Sequence, residues 1–98
     1  MDSREIFSNE RLNEEEIIKA AKIAFDIGKE DILFVRNSDD WLKRNNIPIV
    51  IEYKGILDKD DEYPGYYYYD IFFASDSILK KLKEFNKMLG SKVIVTLN

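Results

Sequence analysis

Two stretches of alternating side chains, separated by a loop too acidic to be buried, constrain this chain more than anything else in it. From Ile47 to Lys54, the residues Ile47, Ile49, Ile51 and Tyr53 fall on one side and Val50, Glu52 and Lys54 on the other. A period of two marks a strand with one buried face, because successive strand side chains point to opposite sides. Pro48 has no amide hydrogen to give to a ladder, which places it at the start of that strand or at a sheet edge. Tyr66 to Ala74 repeats the alternation, with Tyr67, Tyr69, Ile71 and Phe73 on one side and Tyr66, Tyr68, Asp70 and Phe72 on the other. The glycine-bounded segment 55–65 between them predicts an antiparallel hairpin with a long loop.

Two helices flank this pair. Asn13 followed three residues later by Glu16 reads as a capping box, and Glu14 and Glu15 suit the positive end of a helix. Ile17, Ile18, Ala21, Ala24 and Phe25 recur at helical spacing, and Gly28 is the predicted stop. Ser75 or Asp76 opens the second helix, whose core stripe is Ile78, Leu82, Phe85 and Leu89 and whose stop is Gly90. The short apolar runs Ile32–Val35 and Val93–Leu97 read as strands. Asn37–Asp40 reads as a turn capping one short helical turn that carries Trp41 and Leu42. Residues 1–12 show no period and are expected to form a flexible arm.

The expected fold is therefore one α/β (α+β) domain over residues 1–98. It has a mixed four-stranded sheet and two main helices in the order α-β-(short α)-β-β-α-β. The closing strand–helix–strand predicts a parallel, right-handed crossover.

Composition narrows the chemistry. The chain has 98 residues, enough for a single core, and its 45% hydrophobic content gives that core material to overcome chain entropy. It has no cysteine, which removes disulfides and thiolate metal sites, and no histidine, which removes the commonest general base. Neither a basic-then-apolar leader nor an apolar run of membrane-spanning length stands out, so a cytoplasmic protein without a membrane partner is expected. A net charge of −4 disfavours nucleic acid, whose binders cluster basic residues on one face, and favours a basic protein partner. No cofactor and no metal site are expected.

Glu52-Tyr53-Lys54, at the end of an apolar strand and followed by Gly55, resembles the second half of the motif of PD-(D/E)xK nucleases. That resemblance implies a divalent metal held by Glu52 and an earlier aspartate, here Asp31, with Lys54 helping to activate water. The plainer reading is that Glu52 and Lys54 simply occupy the solvent side of an alternating strand. Asp58 to Glu62 is a carboxylate-rich run, but a twelve-residue calcium loop starting at Asp58 would need Gly and Glu where Tyr63 and Tyr69 stand. That leaves a solvated acidic loop.

Five of the six tyrosines lie between Tyr63 and Tyr69, directly after this loop. Tyrosine is enriched at interface hot spots because it buries a large area at small entropic cost. The expected partner-binding surface thus takes Asp58, Asp60, Asp61 and Glu62 for electrostatic steering and Tyr63, Tyr66 and Tyr68 for buried contact. In size, charge and tyrosine-beside-acid composition the chain resembles the immunity proteins that neutralise bacterial nuclease toxins, and phage-encoded inhibitors. That resemblance implies a non-enzymatic inhibitor of a basic toxin or nuclease. A homodimer or permanent subunit, using the same aromatic face, is the remaining expectation.

Overall fold

In the computed structural model, which describes residues 2–36 and 48–96, the two alternating stretches form the predicted antiparallel pair. The elements are β1 (Asp2–Ser8), α1 (Glu14–Phe25), β2 (Ile32–Val35), β3 (Ile49–Ile56), β4 (Tyr67–Phe73), α2 (Asp76–Leu89) and β5 (Val93–Val95), with a single 3-10 turn at Lys29–Asp31 ahead of β2. They build one sheet in the order β2-β3-β4-β1-β5. Only β2 and β3 run parallel; the other neighbours are antiparallel.

The sheet has five strands, not the expected four. The segment read as a flexible arm is β1, and it lies inside the sheet between β4 and β5. The reason it carries no visible period is that only Ile6, Phe7 and Ser8 are buried, while Asp2, Ser3 and Glu5 stay exposed. Its place is held by the ladder, with Ile6 opposite both Tyr69 and Val95. Since β1 is antiparallel to both neighbours, β4 and β5 run parallel with β1 between them. The closing strand–helix–strand is thus a parallel crossover that skips one strand.

Both helices lie on the same face of the sheet, and their apolar stripes merge with it into one core. Ile17, Ala20, Ala21, Ala24 and Phe25 come from α1; Ile78, Leu82, Phe85 and Leu89 come from α2. The sheet supplies Ile6, Ile49, Ile51, Tyr69, Ile71 and Phe73. Three of the four core positions read for the first hairpin strand fall within the described residues: Ile49 and Ile51 are buried, and Tyr53 packs against them half-buried. Phe25 and Phe85 meet between the helices with ring centres 5.0 Å apart. Tyr69 is 1% exposed, and its hydroxyl accepts a 3.0 Å hydrogen bond from the Leu12 amide, which fixes the entry to α1.

The helix ends follow local chemistry. The Asn13 side chain accepts from the Glu15 amide at the start of α1. The helix stops at Asp26, two residues before Gly28, because Asp26 takes a left-handed conformation (φ 54°) that aspartate tolerates better than most residues. Ser75 caps α2 through the Ser77 amide, and Gly90 ends it as expected. The turn read at Asn37–Asp40 and the helical turn carrying Trp41 and Leu42 lie outside the described residues. Among the described residues no helix is long and apolar enough to cross a membrane.

Candidate functional site

Strand parity sends Glu5, Phe7, Val50, Glu52, Tyr68, Asp70 and Phe72 to the face of the sheet away from the helices. Three carboxylates align there across neighbouring strands: Glu52 opposite Asp70, and Asp70 opposite Glu5. Glu52 was expected on a solvent face, yet it is 4% exposed, and the Lys54 ammonium lies 3.4 Å from it. Burial raises the Asp70 pKa above the ordinary aspartate range; the Tyr68 hydrogen bond and Lys54 oppose that rise, while Glu5 and Glu52 add to it. Tyr68 is raised well above an ordinary phenol, first by burial and then by the Asp70 and Glu5 carboxylates that its hydroxyl faces.

A bulge in β3 shapes the neighbourhood of Tyr68. Tyr53 pairs with Tyr69 but Gly55 pairs with Tyr68, so Lys54 is an extra residue on β3. Gly55 sits at φ 124°, a conformation that side chains rarely adopt, and it leaves the β3 flank of Tyr68 without a side chain. On the other flank, Phe7 of β1 lies nearly parallel to Tyr68, with ring centres 5.4 Å apart and planes 21° apart.

The loop from Leu57 to Tyr66 then closes over this strip. The Leu57 amide donates to the Tyr66 carbonyl and the Gly65 amide to the Leu57 carbonyl, extending the hairpin. Within the loop the Asp61 carboxylate accepts from the Asp58 amide at 2.6 Å. These bonds bring Tyr63 onto Phe7 (4.9 Å between ring centres) and Tyr66 onto Tyr63 (5.5 Å). The outcome is a cleft of about 310 Å³ with Phe7, Tyr63 and Tyr68 as its aromatic lining and Glu5, Asp61 and Glu62 as its charged lining.

Of the residues singled out from the sequence, Asp61, Glu62, Tyr63 and Tyr68 line this cleft, and Tyr66 packs against Tyr63 beside it. Asp58 and Asp60 are exposed on the loop without lining the cleft. Sequence reasoning missed Glu5, Phe7, Leu57 and Thr96. Glu5 lies in β1 and Thr96 directly follows β5, the Glu5 amide donating to the Thr96 hydroxyl at 2.9 Å and the Thr96 amide to the Glu5 carbonyl at 3.0 Å. The one available signal was the apolar pair Ile6-Phe7 inside the segment taken for an arm.

Asp31 does not join Glu52 and Lys54. Val35 is the β2 residue paired with Glu52, and Asp31 ends the 3-10 turn ahead of β2, four residues before Val35 and beyond the opposite end of the strand, roughly 13 Å away at strand spacing. The neighbour that Glu52 does face is Asp70, but the carboxylates do not converge: among the described residues no group of three or more is placed to hold a metal ion. Comparison of the chain with protein-family models, with curated proteins and with solved structures found no match.

Proposed function

We propose that this chain is a non-enzymatic protein-binding domain, of the acidic inhibitor or immunity-protein kind, that docks its carboxylate- and tyrosine-rich hairpin on a basic protein such as a toxin or nuclease. The observation that carries this reading is the meeting of Tyr63 and Tyr68 with Phe7 beside Glu5, Asp61 and Glu62, with Tyr66 packed on Tyr63. Among the described residues none of these three carboxylates has an ion-pair partner within the chain. Such a surface offers both what speeds encounter with a basic partner and what holds it afterwards: exposed negative charge and aromatic area. Asp58 and Asp60, exposed beside the cleft, extend the charge without entering it.

The test compares proteins retained from source-cell lysate by the wild type and by a variant carrying Asp58→Asn, Asp60→Asn, Asp61→Asn and Glu62→Gln. The expected result is a basic protein held by the wild type alone, whose purified form binds with an association rate that falls steeply with salt. An identical retained set from both proteins, or a salt-independent association, would overturn the proposal.

A further inference from the structure

We infer that the cleft between β1, β4 and the hairpin loop is a receptor for one arginine side chain of the partner protein. This rests on the docking reading above and assigns its central contact. The cleft, about 310 Å³, is at the small end of ligand sites and suits a single long side chain better than a drug-sized ligand. Its lining is of two kinds that recognise the same chemistry. Tyr63 and Tyr68 are half-buried around the buried Phe7, so ring surface remains open to the cleft, and aromatic faces attract cations. Glu5, Asp61 and Glu62 add three carboxylates, and the described lining contains no lysine or arginine to neutralise them.

The Lys54 ammonium, at the bulge beside Tyr68, is paired with the buried Glu52 at 3.4 Å. The Tyr68 hydroxyl faces Asp70 and Glu5, so the phenol offers the cleft its ring rather than a donor. A guanidinium fits this lining better than an ammonium: it is planar, stacks on rings, is weakly hydrated, and presents a fork of donors to a carboxylate. The source is a protein side chain rather than a free guanidine compound. Exposed acid at Asp58 and Asp60, and Tyr66 packed on Tyr63, surround the cleft with further surface that only a macromolecule would cover.

The experiment is an NMR titration of the whole chain, following the ring protons of Phe7, Tyr63 and Tyr68. The probes are N-acetyl-arginine methylamide, the corresponding lysine derivative, and the citrulline derivative, which keeps the arginine shape without its charge. The expected result is saturable, salt-sensitive shifts with the arginine probe, weaker ones with lysine and none with citrulline. Glu62→Gln, at an exposed position that leaves folding intact, should weaken the arginine probe roughly threefold to tenfold, as should Tyr63→Leu. Absence of saturable shifts, or equal shifts with citrulline, would overturn the inference on the wild-type protein itself. A basic partner captured by a chain that ignores the arginine probe would leave the docking reading standing and remove the arginine receptor. Shifts without any captured basic protein would remove the docking reading and, with it, a partner protein as the source of the arginine.

Discussion

Glu52 and Asp70 face each other directly across the β3–β4 ladder, two carboxylates in register on the side of the sheet away from the helices. Like charges at directly opposed positions cost a sheet stability, and Glu5 extends the row on the next strand. Replacing Asp70 with Asn keeps an acceptor for the Tyr68 hydroxyl and removes the central charge. The folded-state pKa of Asp70 is raised, so folding favours its protonated form, and the native protein loses stability as pH rises through that value. Asp70→Asn should therefore be more stable than the wild type by about 0.2–1 kcal/mol at neutral pH. The gain should vanish below the ordinary aspartate range, where both states are protonated. Urea unfolding at several pH values measures it.

Tyr69→Phe removes the hydroxyl that accepts the Leu12 amide in a buried site 57 residues away in sequence. The ring still fills its space, so the cost is that of an unsatisfied buried donor, about 1–3 kcal/mol. A lowered denaturation midpoint with an unchanged slope is the expected observation.

Gly55→Ala tests the bulge. A Cβ there meets nothing within 4 Å, so any cost comes from the backbone at φ 124° and not from crowding. Destabilisation of roughly 1–3 kcal/mol is expected. Thermal or denaturant unfolding reads it, and shifted Tyr68 ring signals would show that the bulge sets that ring's surroundings.

Asn86 ties α2 to the last strand, its side-chain oxygen accepting from the Val95 amide at 2.6 Å. Asn86→Ala loses about 1 kcal/mol of hydrogen bonding but recovers roughly 0.5 kcal/mol of helix propensity. Global stability should hardly change, whereas hydrogen exchange at Val95 should accelerate because the edge strand loses its cover.

Tyr66→Ala reports on docking. Tyr66 is half-buried and rests on Tyr63, outside the main core. Its removal should cost about 2 kcal/mol or more of affinity for the basic partner while leaving the fold intact. Unchanged affinity for a verified partner would take Tyr66 out of the interface.

The elements that could be read from the sequence are those whose own residues carry the pattern. In α2 the spacing of Ile78, Leu82, Phe85 and Leu89 and the caps at Ser75 and Gly90 appear within 16 residues, and the structure keeps them all. The faces of β4 follow in the same way from Tyr69, Ile71 and Phe73, since alternation is a local property of strands. The end of α1 was harder, because Asp26 adopts a conformation more often given to glycine and so pre-empts Gly28.

Half of the cleft was equally legible: Asp61, Glu62, Tyr63 and Tyr68 stand out by composition alone. The other half was not, because Glu5 and Phe7 reach Tyr68 only through a ladder joining residues about sixty positions apart.

The sequence by itself thus determined the two helices, the hairpin and the acidic, tyrosine-rich character of its loop, since each depends on short-range spacing and charge. Only the tertiary structure decided that Asp2–Ser8 is an inner strand, that Glu52 is buried against Lys54, and that Phe7 completes the cleft. Those outcomes follow from which strand edges meet, and a strand's alternation gives its two faces without naming the distant segment that pairs with its edge.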